Sequence, residues 1–524
     1  MPLAMPPAPA LSKSKLLDYA QCPRKLWLAQ YRPELEDDAL VDHAALETGR
    51  AVGAKAREVY GRAGGCRVDS TRGLRAAVVA TAELMAAGGA EPLFEAAFEH
   101  AGLTVLLDIL DRSRGALRLV EVKSSTRIKD HYVLDCAIQA WVLAGCGTPA
   151  QAVTLAHLDG AFVYAGDGDY AGLIAEHDLT AAAQAHLAQI PPLLAGARAT
   201  LAALDEPAVA IGEQCHTPRA CPFFGHCAPA QREYPVTALG GGKGRAYALM
   251  RAGYTDVRDV PEDALAGERE QRISRQTKLG ARYIGRELGD FLHALPRPRY
   301  YLDFETIAFA IPIWPGTRPY EALPFQWSVH VEDAGADESQ GALGHASYLS
   351  LSGDAPMRAC ADALVETLGE HGPVVVYSGY EQRVLDDLAA RYSDLGPALA
   401  RIRARLVDLL PLFRAHYYHP DMRGSWSLKA VLPTLAPALD YGALGEVRDG
   451  RSAQAAYLQA IDAATPAARR QALRRDLLEY CRLDTLALVK LVAAATAAGT
   501  GGTAGIGGTA GIGGTAGTAR ERLR

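Results

Sequence analysis

The sequence is poor in lysine and has no long hydrophobic run. Lysine and arginine together number 54 among 524 residues, and only ten of the 54 are lysines. A lysine inside a motif is therefore more informative in this chain than in an average one. No hydrophobic segment is long and uninterrupted enough to span a membrane, so the sequence predicts a protein that does not contact one.

The chain also lacks an overall basic charge and a regular cysteine spacing. Its formal net charge is −6, so any surface that binds nucleic acid must be local. Nine cysteines at irregular spacing, with no recognisable signal peptide, favour a reducing compartment. Hydrophobic residues make up 49% of the chain and charged residues 22%, which is typical of a globular protein with two or three cores. We expect a cytoplasmic protein.

Two carboxylates share one face of a predicted strand in the second half. The stretch Tyr-Tyr-Leu-Asp-Phe-Glu-Thr, residues 300–306, carries Asp303 and Glu305 at a spacing of two, which places both on one face. Adjacent acids repel each other unless a cation lies between them, and Mg²⁺ or Mn²⁺ prefers oxygen ligands. A solvated strand end without an ion is the alternative.

Further acids follow downstream. A predicted buried strand at 373–377 leads into a helix that bears Glu381, at the sheet edge where open α/β sheets place their sites. Asp386 is the alternative third acid.

The last predicted helix carries Tyr480 and Asp484, which are neighbours on one helix face. Asp484 can complete a metal cage with Asp303 and Glu305, and the phenol of Tyr480 can orient the attacking water. Ordinary helix packing is the alternative interpretation for Tyr480.

A second acidic set lies in the first half. Asp108 closes an apolar strand, Glu121 and Lys123 share one face of the next strand, and the following helix carries Gln139. Asp108 and Glu121 can hold a divalent metal, while Lys123 can orient a water or stabilise the phosphate in the transition state. A surface hairpin with an ion pair, which contributes little, is the alternative. The predicted elements are strands at 103–108 and 117–123 and a helix at 131–143.

Four cysteines form a candidate ligand set. Cys215, Cys221 and Cys227 lie within thirteen residues rich in proline and glycine, and Cys22 precedes a proline near the start. Zinc and a [4Fe–4S] cluster both accept four thiolates. The spacing of these cysteines favours the cluster, because zinc usually uses closely paired cysteines; zinc and unliganded thiols remain the alternatives.

Residues 11–230 resemble the RecB-like PD-(D/E)xK nucleases, and most of all the branch with an iron–sulfur cluster to which the CRISPR-associated four-cysteine exonucleases belong. The resemblance implies a mixed sheet flanked by helices, metal-dependent DNA cleavage, and a cluster that joins the first helix to the end of the domain. Many relatives carry a histidine four residues after a helical glycine, whereas here Gly49 is followed by Gly53. The residues that carry the resemblance are Asp108, Glu121, Lys123, Gln139, Cys22, Cys215, Cys221 and Cys227.

Residues 298–493 resemble the DEDDy exonucleases of the ribonuclease H-like superfamily. Asp-x-Glu on a first strand, an acid after a later strand and Tyr-x₃-Asp on the last helix carry this resemblance. The family's third acid is usually aspartate, whereas Glu381 stands here. The whole arrangement, with Gly-Ser-Trp-Ser-Leu-Lys at 424–429, is similar to bacterial proteins that carry domain of unknown function 2779.

These observations predict an α/β protein of two domains joined by a helical connector. The first domain has a restriction-endonuclease-like mixed sheet and the second a ribonuclease H-like sheet. A glycine run at 240–242 precedes Lys243 but lacks the phosphate-loop spacing. The predicted divisions are the first domain at 11–230, the connector at 231–297, the second domain at 298–493 and a disordered Gly/Thr/Ala-rich tail at 494–524.

The favoured function is hydrolysis of nucleic-acid phosphodiester bonds with divalent metals. The second resemblance implies release of mononucleotides from a 3′ end of DNA or RNA, with two ions roughly 4 Å apart. One alternative is a nucleic-acid-binding or adaptor protein with degenerate sites, which the missing histidine and Glu381 support. A metal-storage or redox protein built on the cysteines would leave the carboxylates unexplained.

Overall fold

The computed structural model describes residues 11–62, 64–113, 115–228, 232–333, 343–439 and 445–500. Its strands are β1 (Leu11–Ser12), β2 (Cys66–Arg67), β3 (Leu93–His100), β4 (Leu103–Asp111), β5 (Arg118–Lys123), β6 (Ala152–Leu158), β7 (Ile174–Asp178), β8 (Tyr283–Ile284), β9 (Arg299–Ile307), β10 (Leu323–Glu332), β11 (Leu343–Leu349), β12 (Val374–Val376), β13 (Leu406–Asp408) and β14 (Tyr417–Tyr418). Its α-helices are α1 (Lys13–Gln21), α2 (Pro23–Tyr31), α3 (His43–Tyr60), α4 (Leu74–Ala86), α5 (His131–Gly145), α6 (Thr180–His186), α7 (Ile190–Ala202), α8 (Phe224–Cys227), α9 (Lys243–Arg251), α10 (Gly267–Leu279), α11 (Arg286–Ala294), α12 (Met357–Leu368), α13 (Tyr380–Arg391), α14 (Gly396–Arg403), α15 (Leu409–His416), α16 (Leu428–Leu435), α17 (Gly450–Ile461) and α18 (Ala467–Thr500).

The first half is built on a mixed sheet with the order β2-β3-β4-β5-β6-β7, and β1 pairs with β4. The predicted strands at 103–108 and 117–123 are confirmed as β4 and β5, and the predicted helix as α5. Strand β5 is antiparallel to β4 and parallel to β6. Helix α5 buries Ile138 and Val142 in the core that the sheet forms on one face, while α3 buries Ala56 against Val120 on the other.

The second half contains a separate sheet with the order β11-β10-β9-β12-β13. Strand β9 lies at its centre, antiparallel to β10 and parallel to β12. The predicted strand at 373–377 is one residue shorter at each end. Helices α12, α13, α17 and α18 contribute to the core against this sheet, with Leu477 of α18 fully buried. The predicted α/β class with a sheet in each half is confirmed.

The connector is helical, but it packs as part of the second half. Leu249 of α9, Ile273 of α10 and Leu288 of α11 share a buried cluster with Phe413 and Leu491. Strand β8 of the connector also pairs with β14. The connector helices therefore bury their apolar faces against the second half. They are not an independent spacer.

The last helix continues further than the sequence indicates. The tail is predicted to begin at residue 494, but α18 runs to Thr500, and Ala495 is buried in the same cluster as Leu491. Gly499 lies so close to α11 that a Cβ atom there would be 2.6 Å from the Cα of Gly289. The end of α18 therefore packs on α11. Composition alone did not predict this contact. The rest of the predicted tail, 501–524, lies outside the described residues.

The two halves meet where the segment that follows β9 contacts the first half. The Tyr320 hydroxyl donates to the Ser124 carbonyl at 2.7 Å, directly after Lys123. The backbones of Tyr164 and Gly316 are also joined by a hydrogen bond of 2.7 Å. No helix within the described ranges is both long and apolar enough to cross a membrane.

Candidate functional sites

Three carboxylates converge in the second half. Asp303 and Glu305 lie on one face of β9, and Asp484 approaches from α18; their oxygens lie within 4.8 Å of one another. In the described part of the chain, no other three His, Cys, Asp or Glu residues bring ligand atoms this close. The strand spacing and the helix position predicted for these residues thus place them in one cluster.

The environment of this cluster opposes the ionised state of its acids. Burial, together with the charge of Asp484, raises the pKa of Glu305 to about 8. Burial and the charges of Asp484 and Glu305 raise the pKa of Asp303 well above its usual range. Neither Asp303 nor Glu305 forms a salt bridge with a described residue. A divalent cation would relieve this repulsion, so the donor set fits Mg²⁺ or Mn²⁺.

Glu381 lies next to this cluster but outside the compact triad. It is buried in the first turn of α13, and its charge contributes to the raised pKa of Asp303. Burial and the charge of Asp408 raise the pKa of Glu381 to about 7. The alternative third acid, Asp386, lies five positions along α13 from Glu381, and its half-exposed side chain pairs with Arg403 at 2.8 Å.

Tyr480 is buried one turn before Asp484, as its spacing predicts. Its hydroxyl accepts a hydrogen bond from Lys429 Nζ at 3.2 Å. Burial and the charge of Asp484 raise its pKa, so the phenol keeps its proton. Cys481 directs its thiol to Asp303 Oδ2 at 3.8 Å. Sequence reasoning gave neither Lys429 nor Cys481 a role, although Lys429 closes the Gly-Ser-Trp-Ser-Leu-Lys stretch of a lysine-poor chain.

The predicted acids of the first half are also brought together. Lys123 Nζ lies 2.6 Å from Glu121 Oε1, and Gln139 Nε2 donates to Glu121 Oε2 at 2.7 Å. Asp108 accepts from the Val122 backbone at 2.8 Å. Burial and the charge of Glu121 raise the pKa of Asp108 to about 7. The tertiary structure therefore assembles all four predicted residues around one point.

Two residues that sequence reasoning missed change the character of this site. Lys13 Nζ lies 3.1 Å from Glu121 and 2.9 Å from Asp135, and Lys123 lies 2.5 Å from Asp135. Burial alone would raise the pKa of Asp135, but the two lysines hold it well below its usual range. The signals were available: Lys13 is one of ten lysines, and Asp135 lies one helical turn before Gln139.

In this arrangement Glu121 does not fit a divalent metal. Both of its oxygens already accept from Lys13, Lys123 or Gln139, so a metal would have to displace an internal ammonium group. Gly53 stands on α3 at the position where the resembling family carries its histidine.

All four predicted cysteine ligands, Cys22, Cys215, Cys221 and Cys227, line one cavity. Cys22 lies at the junction of α1 and α2, and Gln21 ties this junction to the Gln214 carbonyl at 2.8 Å. No three of the sulfurs are within 4.8 Å of one another, whereas thiolates on one zinc ion would be about 3.8 Å apart. Burial raises the pKa of Cys227 to about 11, so burial by itself favours its neutral thiol.

The fold and the second site define an α/β protein with a compact acidic cluster at the central strand of a sheet. A family model described as "Domain of unknown function (DUF2779)" matches residues 300–427. The match includes Asp303, Glu305 and Glu381 and ends before Lys429 and α18. No curated protein matches the chain.

Proposed function

We propose that the second half, with its connector, is a metal-dependent nuclease that hydrolyses phosphodiester bonds from the 3′ end of DNA or RNA. The observation that carries this proposal is the compact group of Asp303, Glu305 and Asp484, whose oxygens lie within 4.8 Å of one another. Burial and the charge of Asp484 raise the pKa of Glu305 to about 8, and a divalent cation bound by the group would offset this cost of ionisation.

The chain's own residues have distinct roles in this proposal. Asp303, Glu305 and Asp484 would hold Mg²⁺ or Mn²⁺, which supplies water activation and stabilises the leaving oxygen. Tyr480, kept protonated beside Asp484, would orient the attacking water through its hydroxyl. Lys429 fixes that phenol, since its ammonium donates to the Tyr480 oxygen at 3.2 Å. Glu381 is the acid that would complete the set from α13.

For the first half we propose a [4Fe–4S] cluster on the four cysteines and a role in binding nucleic acid rather than in cutting it. The pairing of Lys13 and Lys123 with Glu121 and Asp135 favours this second role. Such pairs inside a buried site are costly to break, because each partner would leave an uncompensated charge. The proposed compartment is the cytoplasm.

The test is a cleavage assay on end-labelled single- and double-stranded DNA and RNA, with Mg²⁺ or Mn²⁺, that compares the unaltered protein with Asp303→Ala and Lys123→Ala. We expect mononucleotide release from the 3′ end by the unaltered and Lys123→Ala proteins alone. If Lys123→Ala abolished cleavage and Asp303→Ala had no effect, the first half would be the working nuclease and the proposal would be wrong.

A further inference from the structure

A basic cleft lies between the connector and the second half, and nothing in the acidic site explains it. Its volume is about 500 Å³. Arg269 of α10 projects from the connector side and Arg414 of α15 from the other. The cleft also contains Tyr377, Ser378, Trp426 and Ser427.

The two arginines at this cleft are exposed and make no side-chain hydrogen bond or ion pair with a described residue. Nearby arginines behave differently. Arg245 pairs with Glu270 at 3.1 Å, and Arg258 pairs with Asp256 at 2.9 Å. The charge of Arg414 also acts on Asp408, but neither guanidinium group is hydrogen-bonded or ion-paired within the described residues. Both can therefore donate to an anion from outside, since guanidinium matches phosphate geometry.

The rest of the wall is rigid and offers hydroxyl and aromatic groups. The Tyr377 hydroxyl donates to the Trp426 carbonyl at 2.9 Å, and the Trp426 indole donates to the Tyr417 carbonyl at 3.0 Å. Ser425 and Ser427 hydroxyls lie 3.2 Å apart on the same turn. Serine hydroxyls are common phosphate contacts in nucleic-acid complexes, so the wall has the chemistry of a sugar–phosphate site.

Two glycines allow the backbone of the cleft wall to pack closely against Ala238 and Arg269. Gly424 has φ +78°, and a Cβ atom there would lie 1.9 Å from the Ala238 carbonyl oxygen. Gly240 also has φ +78°, and its Cβ would meet the Arg269 guanidinium at 3.0 Å. The glycine run that lacks the spacing of a nucleotide-binding loop therefore contributes to the cleft by bringing the backbone near Arg269.

Residues at the edge of the cleft contact, or directly precede residues that contact, Glu381 and Tyr480 beside the acidic site. Ser378 borders the cleft, and its hydroxyl lies 3.5 Å from Glu381 Oε2. On the other wall Leu428 borders the cleft and Lys429 follows it, with its ammonium on Tyr480. A chain lying in the cleft would thus have one end near Glu381 and Tyr480.

We infer that this cleft binds the sugar–phosphate backbone of a single strand whose 3′ end lies at the acidic site. The inference rests on the proposed function, because it assigns the substrate path of that site. Pockets of roughly 300–1,000 Å³ hold drug-sized ligands, which is the scale of one or two nucleotides and too small for a duplex.

The test measures binding and not cleavage, so that it stands apart from the nuclease assay. Fluorescence anisotropy of labelled single-stranded DNA and RNA is recorded against salt for the full-length Asp303→Asn protein, with and without Arg269→Gln plus Arg414→Gln. We expect the double change to weaken binding roughly tenfold or more. The slope of log affinity against log salt should fall by about 1.4, at about 0.7 for each lost contact to a single strand.

Arg401→Gln is the matched control, because Arg401 is an exposed arginine of the same half that pairs with Glu370 away from the cleft; it should leave the slope unchanged. An unchanged slope in the double variant would overturn the inference. The inference would also be overturned if the double variant lost affinity for a single strand and for a mononucleotide equally. The cleft would then be a site for the mononucleotide product. If Asp303→Ala left cleavage intact while the double variant still lost strand affinity, the proposed catalytic site would be wrong and the cleft would remain.

Discussion

The two acidic sites use similar residues and differ in how their charge is balanced. In the first half, Lys13 and Lys123 lie within 3.1 Å of Glu121 and Asp135. In the second half, Asp303 and Glu305 have no such partner among the described residues. Two internal ammonium groups thus pair with the acids of one site, whereas in the other the charge of Lys429 offsets that of Glu305 only in part.

Asp135 and Glu305 are both buried, yet their pKa values shift in opposite directions. The lysines hold the pKa of Asp135 below its usual range, while burial and neighbouring acids raise that of Glu305 to about 8. A buried carboxylate with a raised pKa is typical of a metal or catalytic site, and the charge of Lys429 offsets the rise at Glu305 only in part. The comparison supports the proposal that the second half binds the metal, and the following changes test it.

The largest effect should come from removing a carboxylate of the second site. Asp303→Ala or Asp484→Ala should lower 3′-end trimming by roughly a thousandfold or more, since several kcal/mol of transition-state stabilisation depend on the bound metal. Initial rates on a 3′-labelled strand measure this loss. Glu121→Gln in the first half is the control and should change the rate less than twofold. If Glu121→Gln lowered the trimming rate as much as Asp303→Ala does, the proposal that the metal binds in the second half would be wrong.

The next largest effect should be on the stability of the first half, when one of its four candidate cysteine ligands is replaced. Cys22→Ser should release the proposed cluster, which closes a loop of about 190 residues, and lower the free energy of unfolding by about 3–5 kcal/mol. Iron and sulfide analysis after anaerobic purification, with thermal unfolding, measures both effects. Cys146→Ser, at an exposed cysteine, is the control. Stoichiometric zinc without sulfide would contradict the cluster.

A smaller loss should follow from Tyr480→Phe. This change removes the hydroxyl that would orient water and leaves Asp303, Glu305 and Asp484 in place, so we expect trimming to fall about 10² fold with metal affinity unchanged. Calorimetric titration with Mn²⁺ separates the two effects. Tyr392→Phe, at a half-buried tyrosine of the same half whose ring packs against Arg358, is the matched control; reduced Mn²⁺ affinity in Tyr480→Phe would instead make the phenol part of the cage.

The charge difference also predicts how stability depends on pH. Because the folded-state pKa of Glu305 lies near 8, above its usual 4.5, the folded protein binds more protons than the unfolded chain. Its metal-free stability should therefore fall as the pH rises from about 4.5 to 8. Mn²⁺ needs the ionised acids, so the rise in melting temperature that it causes should be larger at pH 8 than at pH 5.5.

Glu305→Gln should remove most of this difference between the two pH values, whereas Asp135→Asn should not. An equal rise in melting temperature at both pH values in the unaltered protein would show that the carboxylates of β9 are not the metal ligands.

The smallest effect should be on stability, when the contact between the end of α18 and α11 is disturbed. Gly499→Val should lower the free energy of unfolding by about 1–3 kcal/mol, because its Cβ would be 2.6 Å from Gly289. Gly49→Ala on α3 is the matched control, since no atom lies within 4 Å of a Cβ there. Removal of residues 501–524 should leave the melting temperature unchanged in the same denaturation series; a clear loss would indicate a partner for the repeat.

Local sequence patterns predicted the elements that carry the sites, with bounds within a few residues for β4, β5 and α5. They also predicted which carboxylates would share a face. The patterns left Asp386 open beside Glu381, although its position on α13 directs it to Arg403, and they ended the last helix at 493, whereas α18 continues to Thr500 through an alanine-rich stretch packed on α11. Both failures concern contacts with another element, which composition and periodicity do not contain.

The sequence by itself determined the spacing within each element: Asp303 with Glu305, Tyr480 with Asp484, and Glu121 with Lys123. Side-chain direction along a strand or helix follows from local backbone geometry, so these pairings need no knowledge of the fold. Only the tertiary structure decided which charges face them. Lys13 reaches Glu121 across 108 positions of sequence, and Lys429 reaches Tyr480 across 51. Since electrostatic free energy depends on distance and burial in space, similar acids form an ion-paired cluster in one half and a crowded cluster with raised pKa values in the other.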